Sequence, residues 1–307
     1  MFNLDDSLNG LLNAYWIRPE AAIHRTLDVL QMKNVSFKKP ILDLGCGNGV
    51  FSFLFFGGKF NSDFDVYQWV PNTTNFIKGR DIYNQSTKYQ PKIVKKPKIK
   101  VDVGIDWKQS LLDNADKLKL YDKTIQHDLN KKLPFEDNSF STIFSNDMFW
   151  INKIDDLLLE CNRILKPDGK LILLLPDKKF KQNLIYSDYI KDKKQKWAKI
   201  LDRENYPNMK HCYTYSDWKS KFSKANLKIT EHSSYLSEQF IRYSQLGLKI
   251  FSPYIIEMAK AIDPATRRSV KKRLVSELQM LSSLYIKNYE NNIKTDHQFH
   301  YFLLEKS

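Results

Sequence analysis

The chain has 307 residues, of which 42% are hydrophobic and 27% are charged, a balance typical of globular proteins with a sizeable core. This composition excludes wholesale disorder. The longest strongly apolar stretch, residues 50–56, is far shorter than the roughly 18 residues that a membrane-spanning helix needs. The formal net charge of +14 indicates a polyanionic partner, or it follows from the Lys, Asn and Ile usage that an AT-rich genome produces.

The cysteines and the first residues bear on the cell compartment. Cys46, Cys161 and Cys212 show no CxxC spacing and are odd in number, so we expect neither a disulfide framework nor a zinc site. The N-terminus is acidic at Asp5 and Asp6 and lacks the basic region of a signal peptide. These features predict a cytoplasmic protein that uses no metal.

Helices and strands are expected to alternate along the first two thirds of the chain. Apolar spacing predicts a helix over residues 11–34 with a new turn at Pro19, a short buried strand at 40–45 and a helix at 50–56. Residues 57–100 fit no regular pattern and are interpreted as an insertion, with a solvated, lysine-rich tail at 91–100. The pattern then predicts strands at 101–106, 123–129, 141–145 and 170–175, with helices at 107–118 and 154–165. This alternation predicts an α/β protein with a doubly wound, parallel sheet.

The C-terminal third is expected to be mainly helical. Residues 178–205 form a charged helical stretch, 216–225 a helix, 227–234 a strand, 236–292 a mostly helical region and 298–305 a closing strand. An apolar stripe in the 236–292 region is consistent with core packing, with a cover over a hydrophobic substrate, or with contact with a lipid surface. Its members are Phe240, Ile241, Leu246, Leu248, Ile250, Phe251, Tyr254, Ile255 and Ile256.

A glycine cluster between the first strand and its helix carries the chemical information. Three of the ten glycines lie within residues 45–49, as Gly45, Gly47 and Gly49. Without a Cβ, such a turn lets backbone N–H groups and a helix N-terminus approach a ligand closely. Val50 breaks the GxGxxG pattern of dinucleotide-binding folds, and no Gly-Lys-Ser/Thr follows, which excludes a P-loop.

Residues 41–49, Ile-Leu-Asp-Leu-Gly-Cys-Gly-Asn-Gly, resemble motif I of the class I S-adenosylmethionine-dependent methyltransferases. The resemblance continues in the family's order through residues 103–106, 127–129, 133–140, 144–147 and 163–171, so it covers roughly residues 36–176. It favours the bacterial-type small-molecule subgroup. It implies a Rossmann-like sheet of seven strands, mostly parallel, whose last strand at 298–305 is antiparallel, with helical lid insertions.

The resemblance also implies a cofactor, S-adenosylmethionine, with S-adenosylhomocysteine as product, and it assigns binding positions. Asp43 and the 45–49 backbone would hold the methionine part, Asp106 the ribose hydroxyls, Asp128 the adenine amine and the Leu129 amide an adenine ring nitrogen. Asn146 would lie near the sulfonium. The full set of cofactor candidates is Asp43, Gly45, Cys46, Gly47, Gly49, Asp106, Trp107, Asp128, Leu129 and Asn146.

Two acidic residues, Asp65 and Asp106, are alternative candidates for binding the ribose hydroxyls. The usual spacing of about 20 residues from the glycine turn selects Asp65 (65 − 45 = 20), whereas Asp106 lies 61 residues on (106 − 45 = 61). We choose Asp106 because it ends an apolar, β-branched strand and precedes a helix, while residues 61–65 look like a turn. This choice makes 57–100 an insertion after the first helix.

One methyltransferase domain is expected over residues 1–307, with a helical cover at 1–35, the insertion at 57–100, and lid segments at 178–212 and 236–292. The extent of these covers favours a small-molecule acceptor, of sugar, lipid-linked or secondary-metabolite type. Tyr15, Trp16 and Arg18 are candidates for contacting it. His211 and Asp147 are candidates for a general base, which is needed only if the acceptor must lose a proton.

Two other functions stay open at this point. An RNA-directed methyltransferase would use the basic clusters at 91–100 and 267–273, although the chain lacks the Pro-Pro-aromatic and Pro-Cys signatures of nucleic-acid methylation and any RNA-binding module. A catalytically inactive protein would use the same fold for binding alone. Nucleic acid is therefore not the expected partner, peripheral membrane contact is compatible with the sequence, and the oligomeric state is not predicted.

Overall fold

A mixed sheet lies at the centre of the protein, and helices cover both of its faces. The computed structural model describes residues 3–69, 90–146, 148, 150–184, 186, 209–245, 249–288, 292 and 296–307. The strands are β1 (Ile41–Leu44), β2 (Lys59–Phe60), β3 (Ile93–Lys95), β4 (Val101–Asp106), β5 (Tyr121–Gln126), β6 (Phe140–Ser145), β7 (Leu165–Pro176), β8 (Leu227–Ser237) and β9 (His297–Lys306). The helices are α1 (Leu4–Ala14), α2 (Pro19–Met32), α3 (Val50–Phe55), α4 (Gln109–Lys117), α5 (Ile154–Ile164), α6 (Lys178–Gln182), α7 (Tyr215–Lys224), α8 (Glu238–Tyr243), α9 (Lys249–Ala261) and α10 (Pro264–Asn288), with a 3₁₀ turn at Val66–Trp69.

The main sheet has seven strands in the order β5-β4-β1-β6-β7-β9-β8. Strands β5, β4, β1, β6 and β7 are parallel, and β9 lies between β7 and β8, antiparallel to both. The predicted fold class is therefore confirmed. Because the parallel strands all end at the same edge, the residues that follow β1, β4, β5 and β6 meet there.

The central strands β1, β6 and β7 are largely buried on both faces, as parallel strands with helices on each side must be. In β1, Ile41 joins a cluster with the N-terminal helices and α3, whereas Leu42 and Leu44 join a second cluster with α5 and α7. Trp218 and Phe222 of α7 are fully buried in that second cluster. The alternation follows from the two-residue period of a strand.

The N-terminal prediction needs correction, because two helices replace the single helix expected at 11–34. The first begins at Leu4, where the Asn3 side chain accepts hydrogen bonds from the backbone N–H groups of Asp5 and Asp6. The second begins at Pro19, which has no N–H to satisfy at the first turn. Leu4, Leu8, Leu11 and Leu12 recur at helical spacing, so the apolar pattern extends to the start of α1 and the predicted boundary at residue 11 was too late.

The insertion also differs from the expectation at its end. Residues Ile93–Lys95, expected in a solvated tail, form β3 and pair antiparallel with β2. The aromatic rings of Phe53, Phe60 and Phe64 stack in sequence and attach the start of the insertion to α3. Two β-branched residues among lysines were enough to form the strand, because the backbone of β2 supplies its hydrogen-bond partners.

No helix in the described part of the chain combines the length and apolarity needed to cross a bilayer. Within the same residues, no three His, Cys, Asp or Glu side chains are grouped closely enough to hold a metal ion.

Candidate active site

The glycine loop between β1 and α3 is open on one side. Gly45 and Gly47 adopt φ values of +80° and +55°, in the left-handed region that favours glycine. A Cβ at either residue would meet no heavy atom within 4 Å, so both face open space. Gly49 is required for a different reason, because its Cβ would lie 2.9 Å from the Tyr121 ring. The loop therefore has a packed end at Gly49 and an open face at Gly45 and Gly47.

The neighbouring strand β4 fixes the loop in place. The backbone N–H groups of Gly45 and Cys46 donate to the Ile105 carbonyl at 2.9 and 3.0 Å. The Gly47 N–H donates to Asp106 Oδ2 at 3.0 Å, and the Lys108 N–H donates to Asp106 Oδ1 at 3.0 Å. Burial raises the pKa of Asp106, and these backbone donors oppose the shift. The carboxylate of Asp106 thus lies against the glycine loop, at the carboxyl end of β4.

Asp65, the rival for the ribose, lies elsewhere and has a structural role. It is buried, its Oδ1 accepts from the N–H groups of Tyr67 and Gln68, and its Oδ2 pairs with Arg267 Nη2 at 2.9 Å. The expectation that residues 61–65 form a turn agrees with the structure. Asp65 joins the insertion to α10, while Asp106 contacts the loop.

Asp43 lies under the loop and is tied to two hydroxyl groups. Its Oδ2 accepts from Ser52 Oγ at 2.5 Å and from the Tyr121 hydroxyl at 2.6 Å. Burial raises the pKa of Asp43 to about 6, although both hydrogen bonds act in the opposite direction. Asp43 joins β1 to α3 and β5, so it holds the base of the loop in place.

The residues after β5 and β4 lie side by side at the same edge. Asp128 is exposed, and its Oδ1 accepts from the backbone N–H and the side-chain amide of Asn130 at 3.0 and 2.8 Å. These hydrogen bonds lower the pKa of Asp128. Leu129 is buried. Trp107 is 63% exposed, and Lys108 Nζ lies 4.9 Å from the centre of its ring.

The structure describes one of the two candidate residues that follow β6. Ser145 Oγ donates to the Leu44 carbonyl at 2.6 Å, which holds the end of β6 against β1. Asn146 follows and is half-buried. Asp147 lies outside the described residues. Asn146 is thus the candidate at this position that the structure describes.

His211 lies in the loop before α7 and contacts the segment after β6. Its Nε2 contacts the Ile151 carbonyl, and its Nδ1 lies 2.9 Å from the Tyr213 hydroxyl. Because a carbonyl only accepts, Nε2 carries the proton and Nδ1 accepts from Tyr213. Burial lowers the pKa of His211, so the ring is neutral near pH 7. Both ring nitrogens are engaged by protein groups.

The acceptor candidates at the N-terminus divide into two environments. The guanidinium of Arg25 lies 5.2 Å from the Tyr15 ring and 5.5 Å from the ring of Phe51, the second residue of α3. Trp16 is buried, with the Arg267 guanidinium 5.5 Å from its ring. Tyr15 therefore borders the helix that begins at the glycine loop, whereas Trp16 faces α10.

Two buried polar atoms near these candidates, Glu20 Oε2 and Trp16 Nε1, have no hydrogen-bond partner among the described residues. The other carboxylate oxygen of Glu20, Oε1, forms an ion pair with Arg18 Nε at 2.7 Å. Buried polar atoms are costly to leave unpaired, which makes this segment a candidate for contact with a polar ligand.

Sequence reasoning missed several residues that support the site. Ser52, Tyr121 and Tyr213 hold Asp43 and His211 but belong to no motif. Gly104 was the available signal for Tyr121, since a Cβ at Gly104 would lie 2.8 Å from the Tyr121 ring. The pairing of Tyr121 with Asp43 spans 78 residues, which no local pattern indicates.

The chain is similar to known proteins over part of its length. Residues 92–173 match the family described as "Methyltransferase domain". A search of curated proteins found no match. Geranyl diphosphate C-methyltransferase from Streptomyces coelicolor is 10% identical, with a TM-score of 0.44 and coverage of 94% of this chain and 84% of its own. A Haloferax volcanii chain in complex with the Trm112 methyltransferase activator is 15% identical, with a TM-score of 0.43 and coverage of 75% and 76%.

The matched segment runs from β3 to β7 and contains Asp106, Asp128 and Asn146. The glycine loop precedes it, separated from it by most of the insertion. The sheet order brings both parts to one edge, where Asp106 accepts the hydrogen bond from Gly47. Over residues 92–173, which include the strand that ends at Asp106, the chain therefore carries a match to a methyltransferase domain.

Proposed function

We propose that this methyltransferase acts on a small-molecule acceptor that is enclosed by the helices outside the sheet. The observation that carries the proposal is the contact between the N-terminal helices and α3. Arg25 lies between the rings of Tyr15 and Phe51, so folded chain borders the helix that begins at the glycine loop. A polymer substrate would need an open groove at this place, whereas a small acceptor needs an enclosed pocket.

The residues at the edge of the sheet fit the cofactor. A Cβ at Gly45 or Gly47 would fill space that is open, as a cradle for a ligand requires. In our proposal Asp106 binds the ribose hydroxyls, and the exposed indole of Trp107 stacks on the adenine. Asp128 and the Leu129 amide would contact the adenine edge, and Cys46, Gly49 and Asn146 would border the methionine part. S-adenosylmethionine supplies a methyl group that is already activated on a sulfonium.

The protein's own contribution is then to orient the acceptor, exclude water and, where needed, take up a proton. His211 is neutral and accepts from the Tyr213 hydroxyl. A proton from an acceptor hydroxyl would therefore pass to Tyr213 oxygen while the Tyr213 proton moves to His211 Nδ1. Asp147 stays a second candidate for the base. The lid segments 178–212 and 236–292 would exclude water.

The test is the fate of a labelled methyl group. The full-length protein is incubated with S-adenosylmethionine carrying a tritiated methyl group, together with total metabolites and total RNA from the source cells. We expect label in the small-molecule fraction, and none with Gly47→Ala. Label in RNase-sensitive precipitate, with a steep loss as salt is added, would favour the RNA-directed alternative instead.

A further inference from the structure

The face of helix α9 that points to solvent is apolar. Its exposed residues are Phe251, Tyr254, Ile255 and Met258, and Ile262 continues the row just after the helix. Their spacing of three or four residues places them on one side of the helix. We call these five residues the α9 ridge. Tyr254 is 62% exposed and Met258 is 68% exposed, so the ridge is not part of the core.

The neighbouring side of α9 already packs on the protein. Ser252, Ile256 and Ala259 are buried. A helix that is apolar on both its inner and its outer face is expected to be covered on both. The sequence pattern alone could not separate the two faces, since Phe240, Ile241 and Ile256 of the predicted stripe are buried while Phe251, Tyr254 and Ile255 are exposed. Leu246 and Leu248 lie outside the described residues, as does the side chain of Ile250.

Exposed basic side chains follow the ridge in the chain, on α10. Residues 249–288 contain eight Lys and Arg and three Asp and Glu, a net charge of 8 − 3 = +5. Arg267 and Lys271 point inwards, toward Asp65 and the carbonyls of Ser62 and Phe64. Arg268, Lys272 and Arg273 are exposed.

The start of α10 adds a feature suited to an anion. Lys272 and Arg273 line a shallow surface depression of about 480 Å³ together with Ser269, Ser276 and Glu277. The hydrogen bond from Arg267 to the Ala259 carbonyl holds this part of α10 against the end of α9. The ridge and the basic depression therefore lie on two consecutive helices that this hydrogen bond joins, and we call them the α9–α10 pair.

We infer that the α9–α10 pair docks on an anionic phospholipid surface. The α9 ridge enters the boundary between headgroups and acyl chains, and Arg268, Lys272 and Arg273 contact lipid phosphates. Aromatic and apolar side chains beside exposed Lys and Arg are the composition that helices lying on membranes use. This inference does not depend on the identity of the methyl acceptor.

Charge argues against two other occupants. A second copy of the chain would bring another α9–α10 pair of charge +5 against the first, which opposes a symmetric dimer at this face. Nucleic acid would pair with the basic residues, but its phosphates offer nothing to cover the apolar ridge. An anionic bilayer satisfies both the charge and the apolar surface.

Vesicle flotation tests the inference with the full-length protein. Vesicles of phosphatidylcholine alone are compared with vesicles that contain one quarter phosphatidylglycerol, at low and at high salt. We expect binding to the anionic vesicles at least tenfold stronger than to the neutral ones, and weaker at high salt.

Two variants separate the contribution of the apolar ridge to vesicle binding from that of the basic residues, and a third variant is the matched control. The combined variant Phe251→Ser, Tyr254→Ser and Met258→Ser, and the variant Lys272→Glu with Arg273→Glu, should each lose at least tenfold in binding. The control combines Val94→Ser and Leu159→Ser, which are 68% and 50% exposed and lie away from the ridge, and should bind within twofold of wild type. Thermal unfolding and S-adenosylhomocysteine binding report that each variant is folded.

Three results would overturn the inference. They are absence of wild-type binding to anionic vesicles, equal binding by the ridge variant, and a wild-type dimer in solution that the ridge variant converts to a monomer. The last result would assign the ridge to self-association. None of them bears on methyl transfer, so they are distinguishable from a failure of the proposed function.

Discussion

Replacing Asp43 by Asn should change how stability depends on pH. The Asp43 carboxylate is buried under the glycine loop with two hydroxyl donors, Ser52 and Tyr121. Burial raises its pKa in the folded state from 3.8 to about 6. The folded state therefore favours the protonated acid more strongly than the unfolded state does.

The sign and size of the effect follow from linkage. Below pH 3.8 the acid is protonated in both states, so the folded state buries no charge and is not destabilised. Above pH 6 the acid is ionised in both states, so the folded state is destabilised by the full free-energy cost of burying the carboxylate. A difference of about 2 pKa units corresponds to about 3 kcal/mol in the free energy of unfolding. This contribution is lost as the pH rises through the folded-state pKa. An Asn at position 43 cannot ionise, so its variant should lack this loss.

The assay is urea unfolding of wild type and Asp43→Asn, followed by tryptophan fluorescence at pH 4, 5, 6 and 7. The other titrating groups are common to both proteins and cancel in the difference. We expect the stability of the variant relative to wild type to rise by about 2 kcal/mol between pH 4 and pH 7, because part of the total is already lost at pH 4. The change Asp168→Asn, at an exposed position, serves as the control and should show no such rise. Parallel pH profiles for wild type and Asp43→Asn would refute the buried, raised-pKa account of Asp43.

The remaining predictions concern the two rival acids and the indole. Asp106→Ala should weaken S-adenosylhomocysteine binding by roughly 1–3 kcal/mol in calorimetry, because a charge-assisted hydrogen bond to the ribose is lost; an unchanged affinity would remove Asp106 from the site. Asp65→Ala should lower the free energy of unfolding by roughly 3–5 kcal/mol, because it leaves the buried Arg267 guanidinium without its ion-pair partner. The affinity for S-adenosylhomocysteine should not change. Adding Arg267→Met to this variant should restore much of the lost stability. Trp107→Ala should leave thermal unfolding within about 0.5 kcal/mol and reduce affinity by about 1 kcal/mol, whereas equal affinity would mean that the indole does not stack on adenine.

The parts of the fold that depend on local pattern were predictable. Strand β1, the glycine turn and α3 follow one another within 15 residues, and their burial pattern, Gly spacing and apolar helix lie in consecutive sequence. The choice of Asp106 over Asp65 also rested on local features, namely an apolar strand before it and a helix after it. The structure gives Asp106 the contact with Gly47 and gives Asp65 a buried partner in α10.

The parts that depend on distant contacts were not predictable. Tyr121 reaches Asp43 across 78 residues, and Arg267 reaches Asp65 across 202. Strand β3 exists because β2 lies beside it, although its own sequence is a run of lysines around two β-branched residues. His211 was predicted as a base from its position in the chain. Its pairing with Tyr213, which decides where a proton could go, required the geometry of the loop.

Calorimetric titration of S-adenosylhomocysteine into three proteins tests the central claim most directly. They are the wild type, Gly47→Ala, and Gly57→Ala as a matched control. Gly47 and Gly57 both have positive φ, +55° and +85°, so alanine strains the backbone at each. The three atoms nearest to a Cβ at Gly57 belong to the Lys98 side chain and lie at 3.7–3.9 Å, which is ordinary van der Waals contact. We expect one site per chain in wild type and Gly57→Ala with similar affinity, and at least tenfold weaker binding in Gly47→Ala, because its Cβ occupies the space of the ligand. Equal affinity in all three proteins, or no binding by the wild type, would contradict the account.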